Sequence, residues 1–185
     1  MNIYFAPLEG ITGFVLRNAY ESCFPGTIDR YFAPFIAASC RKKLAARDLR
    51  DVLPENNTGI CLIPQLLANK GEDFISTAQM LYQFLTNQTD CFLAVERTLR
   101  EYGYTELNLN LGCPSATVVT KKRGAGLLAE PELLKVFLTE CYDWAEGKGI
   151  RLSIKTRIGM AEEAEWEKLF SLYEAFPVSE LIIHP

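Results

Sequence analysis

Short apolar runs of strand length recur along this sequence and alternate with longer segments of helical periodicity. The predicted strands span residues 2–8, 27–34, 59–67, 106–112, 151–158 and 180–185. The predicted helices span residues 12–23, 72–86, 131–146 and 162–176, with Thr12 as the expected N-cap of the first. The charged stretch 41–51 is compatible with a helix or a loop. Strands that alternate with helices in this way form a parallel sheet with the helices packed outside it.

Two architectures share this pattern, an open doubly wound sheet and a (β/α)8 TIM barrel. No G-x-G-x-x-G follows the first predicted strand, which disfavours a dinucleotide-binding open sheet. A barrel assembles its active site at the carboxyl ends of its strands. Polar residues occupy those ends here, namely Glu9, Gln65, Asn110, Lys155, Arg157 and His184. The sequence therefore predicts one domain over residues 1–185, a TIM barrel truncated after about six of its eight strands.

The composition indicates which classes of protein this sequence is compatible with. The chain has 185 residues, of which 49% are hydrophobic, as expected for a globular domain. No apolar run approaches the ~20 residues that cross a bilayer, and the amino-terminal residues lack signal-peptide features. Six scattered cysteines and one histidine offer little to a zinc site. We expect a cytoplasmic protein without a metal and without a membrane partner.

The charge distribution leaves the question of a nucleic-acid partner open. A formal net charge of −4 argues against a general nucleic-acid binder. Two basic clusters nevertheless occur, at residues 41–43 and 121–123. Each cluster is compatible with a solvated charged face, and the second is also compatible with contacts to phosphates.

The segment from Asn108 to Ser115 carries the chemistry. Strand alternation places Asn108 and Asn110 on one face, and Cys113 follows at the carboxyl end of the same strand. A thiol with a reference pKa of about 8.5 is mostly protonated at neutral pH, so it can donate a proton or act as a nucleophile. A buried structural cysteine is the alternative that these residues leave open.

This segment and residues 122–128 resemble the signature that surrounds the catalytic cysteine of tRNA-dihydrouridine synthases. The opening Ala6-Pro7-Leu8-Glu9-Gly10-Ile11-Thr12 is similar to the first-strand motif of that family, commonly A-P-M-x-G-x-T. Residues 155–159 and 182–185 resemble its fifth-strand and sixth-strand motifs. The five similarities occur in family order and cover nearly the whole chain.

The resemblance implies an FMN-binding barrel, followed in the family by a small helical domain, that reduces the C5–C6 double bond of uridines in tRNA. NADPH reduces the flavin, which passes hydride to uracil C6. Cys113 is then the catalytic residue that protonates C5 from the opposite face. The implied cofactor-binding residues are Pro7, Leu8, Glu9, Gln65, Lys155 and His184, and the implied substrate-binding residues are Asn110 and Arg157.

Three departures from the family accompany the resemblance. Leu8 replaces a common Met of similar volume, so a small effect is expected. Residues 84–101 resemble an insertion. The third departure is that strands seven and eight and the helical domain of the family are not expected among the 185 residues. We therefore expect the 185 residues alone to be inactive and without FMN. We also expect Leu109 and Ile154 to face inward without partners.

Two other functions remain compatible with the sequence. A flavoprotein similar to dihydroorotate dehydrogenase also places a cysteine or serine at a strand end, although Gly112 and the Lys155-Thr156-Arg157 run fit the tRNA enzyme better. A non-catalytic RNA-binding remnant that has kept the motifs is the alternative from another class.

Overall fold

The computed structural model describes residues 1–40, 44–86 and 104–185, with side chains described only as far as Leu81 in the second of these ranges. The basic cluster at 41–43 and most of the proposed insertion at 84–101 lie outside the described residues. Within the described ranges, no helix is both long enough and apolar enough to cross a membrane.

The strands are all parallel to their neighbours, and eight of them are described. They are β1 (Tyr4–Phe5), β2 (Arg30–Phe32), β3 (Ile36–Ala37), β4 (Leu62–Ile63), β5 (Gln65–Leu67), β6 (Glu106–Leu111), β7 (Arg151–Arg157) and β8 (Leu181–His184). One sheet has the order β1-β2-β4 and the other has the order β3-β5-β6-β7-β8.

The predicted strand 59–67 is divided into two short strands, and the predicted strand 27–34 is followed by a further short strand, β3, beyond its predicted end. The chain leaves the ladder at Ala33-Pro34-Phe35, between β2 and β3, and at Pro64, between β4 and β5. Proline has no backbone N–H to donate to a ladder, so strands tend to break there. Because β2 pairs with β4 and β3 pairs with β5, the six stretches still follow one another in chain order. The prediction of a parallel α/β fold is confirmed, but the described strands do not close into a barrel.

Six helices are described, of which four lie near the predicted positions and the shortest lies where none was predicted. They are α1 (Phe14–Cys23), α2 (Ala46–Val52), α3 (Gly71–Thr86), α4 (Ala116–Val119), α5 (Pro131–Glu146) and α6 (Trp166–Glu174). Pro131 begins α5, where its missing N–H needs no partner. The charged stretch whose structure the sequence left open contains α2.

The prediction that Thr12 caps α1 is wrong. Gly13 is the N-cap residue, and the Phe14 N–H donates to the Asp51 carboxylate of α2 at 2.9 Å. The Thr12 hydroxyl oxygen instead accepts from the Leu8 N–H at 2.7 Å, within the turn that follows β1. A capping carboxylate from another helix replaces the local cap that the sequence pattern predicts.

The hydrophobic core lies between the outer face of the sheet and the helices. Leu109 and Ile154 are adjacent on β6 and β7, and they are only 1% and 0% exposed. They pack in one cluster with residues of α5 such as Phe137 and Leu138. The expectation that they face inward is wrong, because strand alternation turns Leu109 away from the face that carries Asn108 and Asn110. Burial of such a side chain contributes about 1.5–3 kcal/mol.

Candidate active site

A cleft of about 580 Å³ opens at the carboxyl ends of the strands, and all six strand stretches contribute to its lining. The strand register brings its walls together, since Asn110 lies beside Lys155 and Arg157 lies beside His184. The nine residues that the sequence analysis selected all line this cleft, namely Pro7, Leu8, Glu9, Gln65, Asn110, Cys113, Lys155, Arg157 and His184. The structure thus brings them together, while their individual roles stay predictions.

Five further residues line the cleft that the sequence analysis did not select as site residues, namely Ala6, Pro34, Phe35, Gly112 and Pro114. Pro34 and Phe35 lie in the break between β2 and β3. The sequence signal for this break is the proline near the end of the apolar run. A proline interrupts the backbone hydrogen bonds of the ladder, although the chain continues in the same direction into β3. Through this break, Phe35 contributes to the lining of the cleft.

Cys113 lies two residues beyond the end of β6, and hydrogen bonds hold its backbone at both the N–H and the carbonyl group. Its N–H donates to Oδ1 of Asn110 at 3.0 Å, and its carbonyl oxygen accepts from the Ala125 N–H at 3.0 Å. Gly124 begins the 3-10 turn Gly124–Leu127 with φ of +54°, and a Cβ there would lie 2.7 Å from the Cys113 carbonyl oxygen. Only a residue without a side chain allows the turn to approach so closely. The half-buried thiol therefore projects from a backbone with little freedom.

Three side-chain amides connect Cys113 to the interior below the cleft. Nδ2 of Asn110 donates to Oε1 of Gln65 at 2.8 Å, and Nε2 of Gln65 donates to Oδ1 of Asn108 at 2.8 Å. Nδ2 of Asn108 donates in turn to Oγ of Ser153 at 2.9 Å. These four side chains are at most 8% exposed, so each would lose free energy if it lacked a partner.

Two cations face the same cleft. Burial lowers the pKa of Lys155 below its ordinary value of 10.5; nearby Arg157 lowers it further, whereas Cys113 acts in the opposite direction. Nε of Arg157 donates to the carbonyl oxygen of Gly112 at 3.1 Å, which ties its guanidinium to the loop that carries Cys113. A half-buried ammonium beside a guanidinium favours a ligand with negative charge.

Comparison with known proteins identifies the family of this chain. Residues 29–185 match the family described as dihydrouridine synthase (Dus). The chain belongs to this family. Members of the dihydrouridine synthase family form α/β barrels of the TIM type, and the parallel strand order seen here agrees with that architecture.

Several curated dihydrouridine synthases are similar to this chain. A probable tRNA-dihydrouridine synthase of Staphylococcus aureus is 31% identical over 182 residues, which cover 97% of this chain and 48% of the relative. The tRNA-dihydrouridine(16) synthase of Pseudomonas putida is 30% identical over 159 residues, covering 86% and 44%. A tRNA-dihydrouridine(20/20a) synthase of Shewanella oneidensis is 42% identical over 88 residues, covering 45% and 25%.

The chain spans about half the length, or less, of the curated relatives it matches. The tRNA positions in the relatives' names differ, 16 in one and 20/20a in another.

Two of the three basic residues at 121–123 form ion pairs within the protein. Arg123 donates to Asp73 at 3.1 Å and to Asn69 at 3.3 Å. Lys122, which has a φ of 52°, donates to Glu130 at 2.6 Å. For these two residues the ion pairs favour a structural role. As for metals, residues 1–40, 44–86 and 104–185 contain no group of three or more His, Cys, Asp or Glu that could hold an ion.

Proposed function

We propose that this protein reduces the C5–C6 double bond of a uridine in tRNA to 5,6-dihydrouridine, with FMN as cofactor and NADPH as reductant. In this proposal the 185 residues supply the first six strands of the flavin-binding barrel. The observation that carries it is the convergence of the nine selected residues on one cleft, with Cys113 in its wall and Lys155 facing it. The family match and the names of the relatives support the reaction class.

The lining of the cleft fits a flavin. Its volume of about 580 Å³ falls in the range of roughly 300–1,000 Å³ that is usual for cofactor sites. Pro7, Leu8 and Phe35 offer apolar surface for a flat ring system. The half-buried ammonium of Lys155 suits the part of the ring that becomes anionic on reduction.

The residues that would hold FMN lie on several strand stretches. Pro7, Leu8 and Glu9 follow β1 and would line the ring, and His184 at the end of β8 would lie beside it. Gln65 uses its Oε1 and one Nε2 proton within the protein, so its second Nε2 proton is the one that would reach the ring. These residues would hold FMN, and the chemistry that it would supply there, once reduced by NADPH, is the hydride for uracil C6.

The protein side chains supply the proton and the orientation of the substrate. The Cys113 thiol would act as the general acid that protonates uracil C5. Nε of Arg157 is engaged with Gly112, so its two Nη groups are the ones that would contact the nucleotide. Asn110 would hydrogen-bond the uracil or its ribose through its second Nδ2 proton, because its Oδ1 and first proton serve the protein.

The decisive experiment is deletion of the encoding gene followed by mapping of dihydrouridine at each uridine of the host tRNAs. We expect dihydrouridine to disappear from at least one tRNA position and to return when the wild-type gene, but not the Cys113→Ala gene, is restored. An unchanged dihydrouridine pattern in the deletion strain would overturn the proposal.

Two assays separate this function from the alternatives. Reduction of unmodified tRNA without turnover of dihydroorotate distinguishes it from a dihydroorotate-dehydrogenase-like enzyme. The flavin absorption of the protein purified from its host distinguishes it from a non-catalytic RNA-binding remnant, which would show no flavin bands.

A further inference from the structure

The hydrogen bonds that begin at Cys113 run in one direction. The Cys113 N–H donates to Asn110, Asn110 donates to Gln65, Gln65 donates to Asn108, and Asn108 donates to the Ser153 hydroxyl. Rotation of the Asn110 or Gln65 amide by 180° would oppose like groups at both of its neighbours. Rotation of Asn108 would do so at Gln65, while the Ser153 hydroxyl, which can donate or accept, satisfies its far side. The orientation of each amide therefore depends on its neighbours.

The two ends of this series, which we call the amide chain, differ in their surroundings. Asn110 and Gln65 line the cleft. Asn108 and Ser153 lie below it and are both 0% exposed. A buried amide without a partner is costly, so the far end limits the conformations that the cleft end can adopt.

We propose that Asn108 and Ser153 are positioning residues for Cys113. They fix the Gln65 amide, which fixes Asn110. Oδ1 of Asn110 holds the N–H groups of both Gly112 and Cys113, at 3.3 and 3.0 Å. The importance of this positioning for catalysis rests on the proposed function, but its effect on the thiol does not.

A purely structural role for the same hydrogen bonds makes a different prediction. The Cys113 loop is also held by the Ala125 N–H and by Nε of Arg157. If those two contacts are sufficient, loss of the far end of the amide chain lowers the stability of the fold and leaves the thiol unchanged. The reactivity of Cys113 distinguishes the two roles, since it responds to the placement and exposure of the sulfur.

The experiment measures alkylation of individual cysteines by iodoacetamide in the native 185-residue chain, read by peptide mass spectrometry. Exposed Cys23 and Cys61 are internal references. The variants are Ser153→Ala and Asn108→Leu. The matched control is Thr156→Val, because Thr156 is also on β7 and 0% exposed, but its hydroxyl contacts the Tyr173 hydroxyl on the opposite face of the strand.

We expect both variants to raise the alkylation rate of Cys113, relative to the references, by about threefold or more, a change within the range of one net hydrogen bond. Thr156→Val should leave the relative rate unchanged while it lowers the melting temperature. An unchanged rate in Ser153→Ala, or an equal rise in Thr156→Val, would overturn the proposal. If Asn108→Leu does not fold, Ser153→Ala decides alone.

This measurement uses neither flavin nor tRNA, so it is independent of the proposed function. The alkylation rate of Cys113 could rise in the variants while the dihydrouridine pattern of the deletion strain stays unchanged. That combination would refute the enzyme assignment and still support the positioning role of the amide chain. In the active enzyme, Ser153→Ala should lower kcat and leave KM for tRNA unchanged, because Ser153 lies below the cleft.

Discussion

The Tyr4 hydroxyl donates a hydrogen bond to Oε1 of Glu180, which lies 176 residues further along the chain. This bond raises the pKa of Tyr4. The other carboxylate oxygen of Glu180 pairs with Arg30 of β2 at 3.0 Å. The first and last described strand stretches are therefore joined by side chains near their amino ends, whereas β1 and β8 do not pair through their backbones.

The open edges of β1 and β8 predict the behaviour of the 185 residues expressed alone. Exposed edges pair with other chains, and barrel phosphate sites commonly use the loops after strands seven and eight, whereas the described strands form six stretches. We expect an associating protein without stoichiometric FMN and without activity on tRNA. Absorbance at the flavin bands and size-exclusion chromatography check this expectation, and a yellow monomer would contradict it.

Replacement of the thiol tests the catalytic assignment. In an enzyme whose barrel is completed by the remaining strands, Cys113→Ala should reduce dihydrouridine formation by a factor of about 10² or more, because the proton donor is lost. Flavin content and NADPH oxidation should stay near the wild-type values. Cys61→Ala, which removes an exposed thiol, is the control. Normal turnover of tRNA by Cys113→Ala would refute the assignment.

Lys155 should contribute to flavin binding in a pH-dependent way. Lys155→Ala in the same enzyme removes the cation expected to face the reduced ring, so FMN affinity or the rate of flavin reduction should fall. Because burial lowers the Lys155 pKa from 10.5, the difference from wild type should be present at neutral pH and disappear as pH rises through that lowered pKa. Lys168→Ala, at an exposed position, is the control. Equal affinities, reduction rates and tRNA turnover would show that Lys155 is structural.

Gly124 should not tolerate a side chain. The added methyl group of Gly124→Ala would meet the Cys113 carbonyl oxygen at 2.7 Å, and the φ of +54° is itself unfavourable for alanine. We expect a loss of about 1–3 kcal/mol in the free energy of unfolding, measured with urea. Gly147→Ala is the matched control, since its φ is −63° and a Cβ there meets nothing within 4 Å. Similar losses in both variants would contradict the close contact with Cys113.

Glu165 should stabilise the loop after β7 only when it is ionised. Its carboxylate accepts from the N–H groups of Met160, Ala161 and Glu162, and the bond from Met160 is the main cause of a pKa below 4.5. A lowered pKa means stabilisation that is present above the unfolded value and lost as pH falls through the folded value. Glu165→Gln should therefore lower the melting temperature at pH 7 and match wild type in acid, with exposed Glu163→Gln as control. A difference that persists in acid would contradict this account.

The sequence predicted the order of the strands and the composition of the cleft because both follow from local patterns. Periods of two and of about 3.6 residues separate strands from helices. Polar residues at carboxyl ends of parallel strands meet at one end of the sheet, so Gln65, Asn110 and Lys155 could be grouped before any contact was known. The division at Pro64 was predictable in principle, whereas the capping of α1 by Asp51 was not, because the cap comes from a different helix.

By itself, then, the sequence determined the parallel α/β arrangement, the position of Cys113 at a strand end and the set of residues around it. The tertiary structure decided which atoms those residues contact. The pairing of Gln65 with Asn108 and Asn110, the approach of Gly124 to Cys113 and the bond from Tyr4 to Glu180 depend on sheet register and close packing. Such contacts join residues that are 11 to 176 positions apart, and no local periodicity specifies the distance between them.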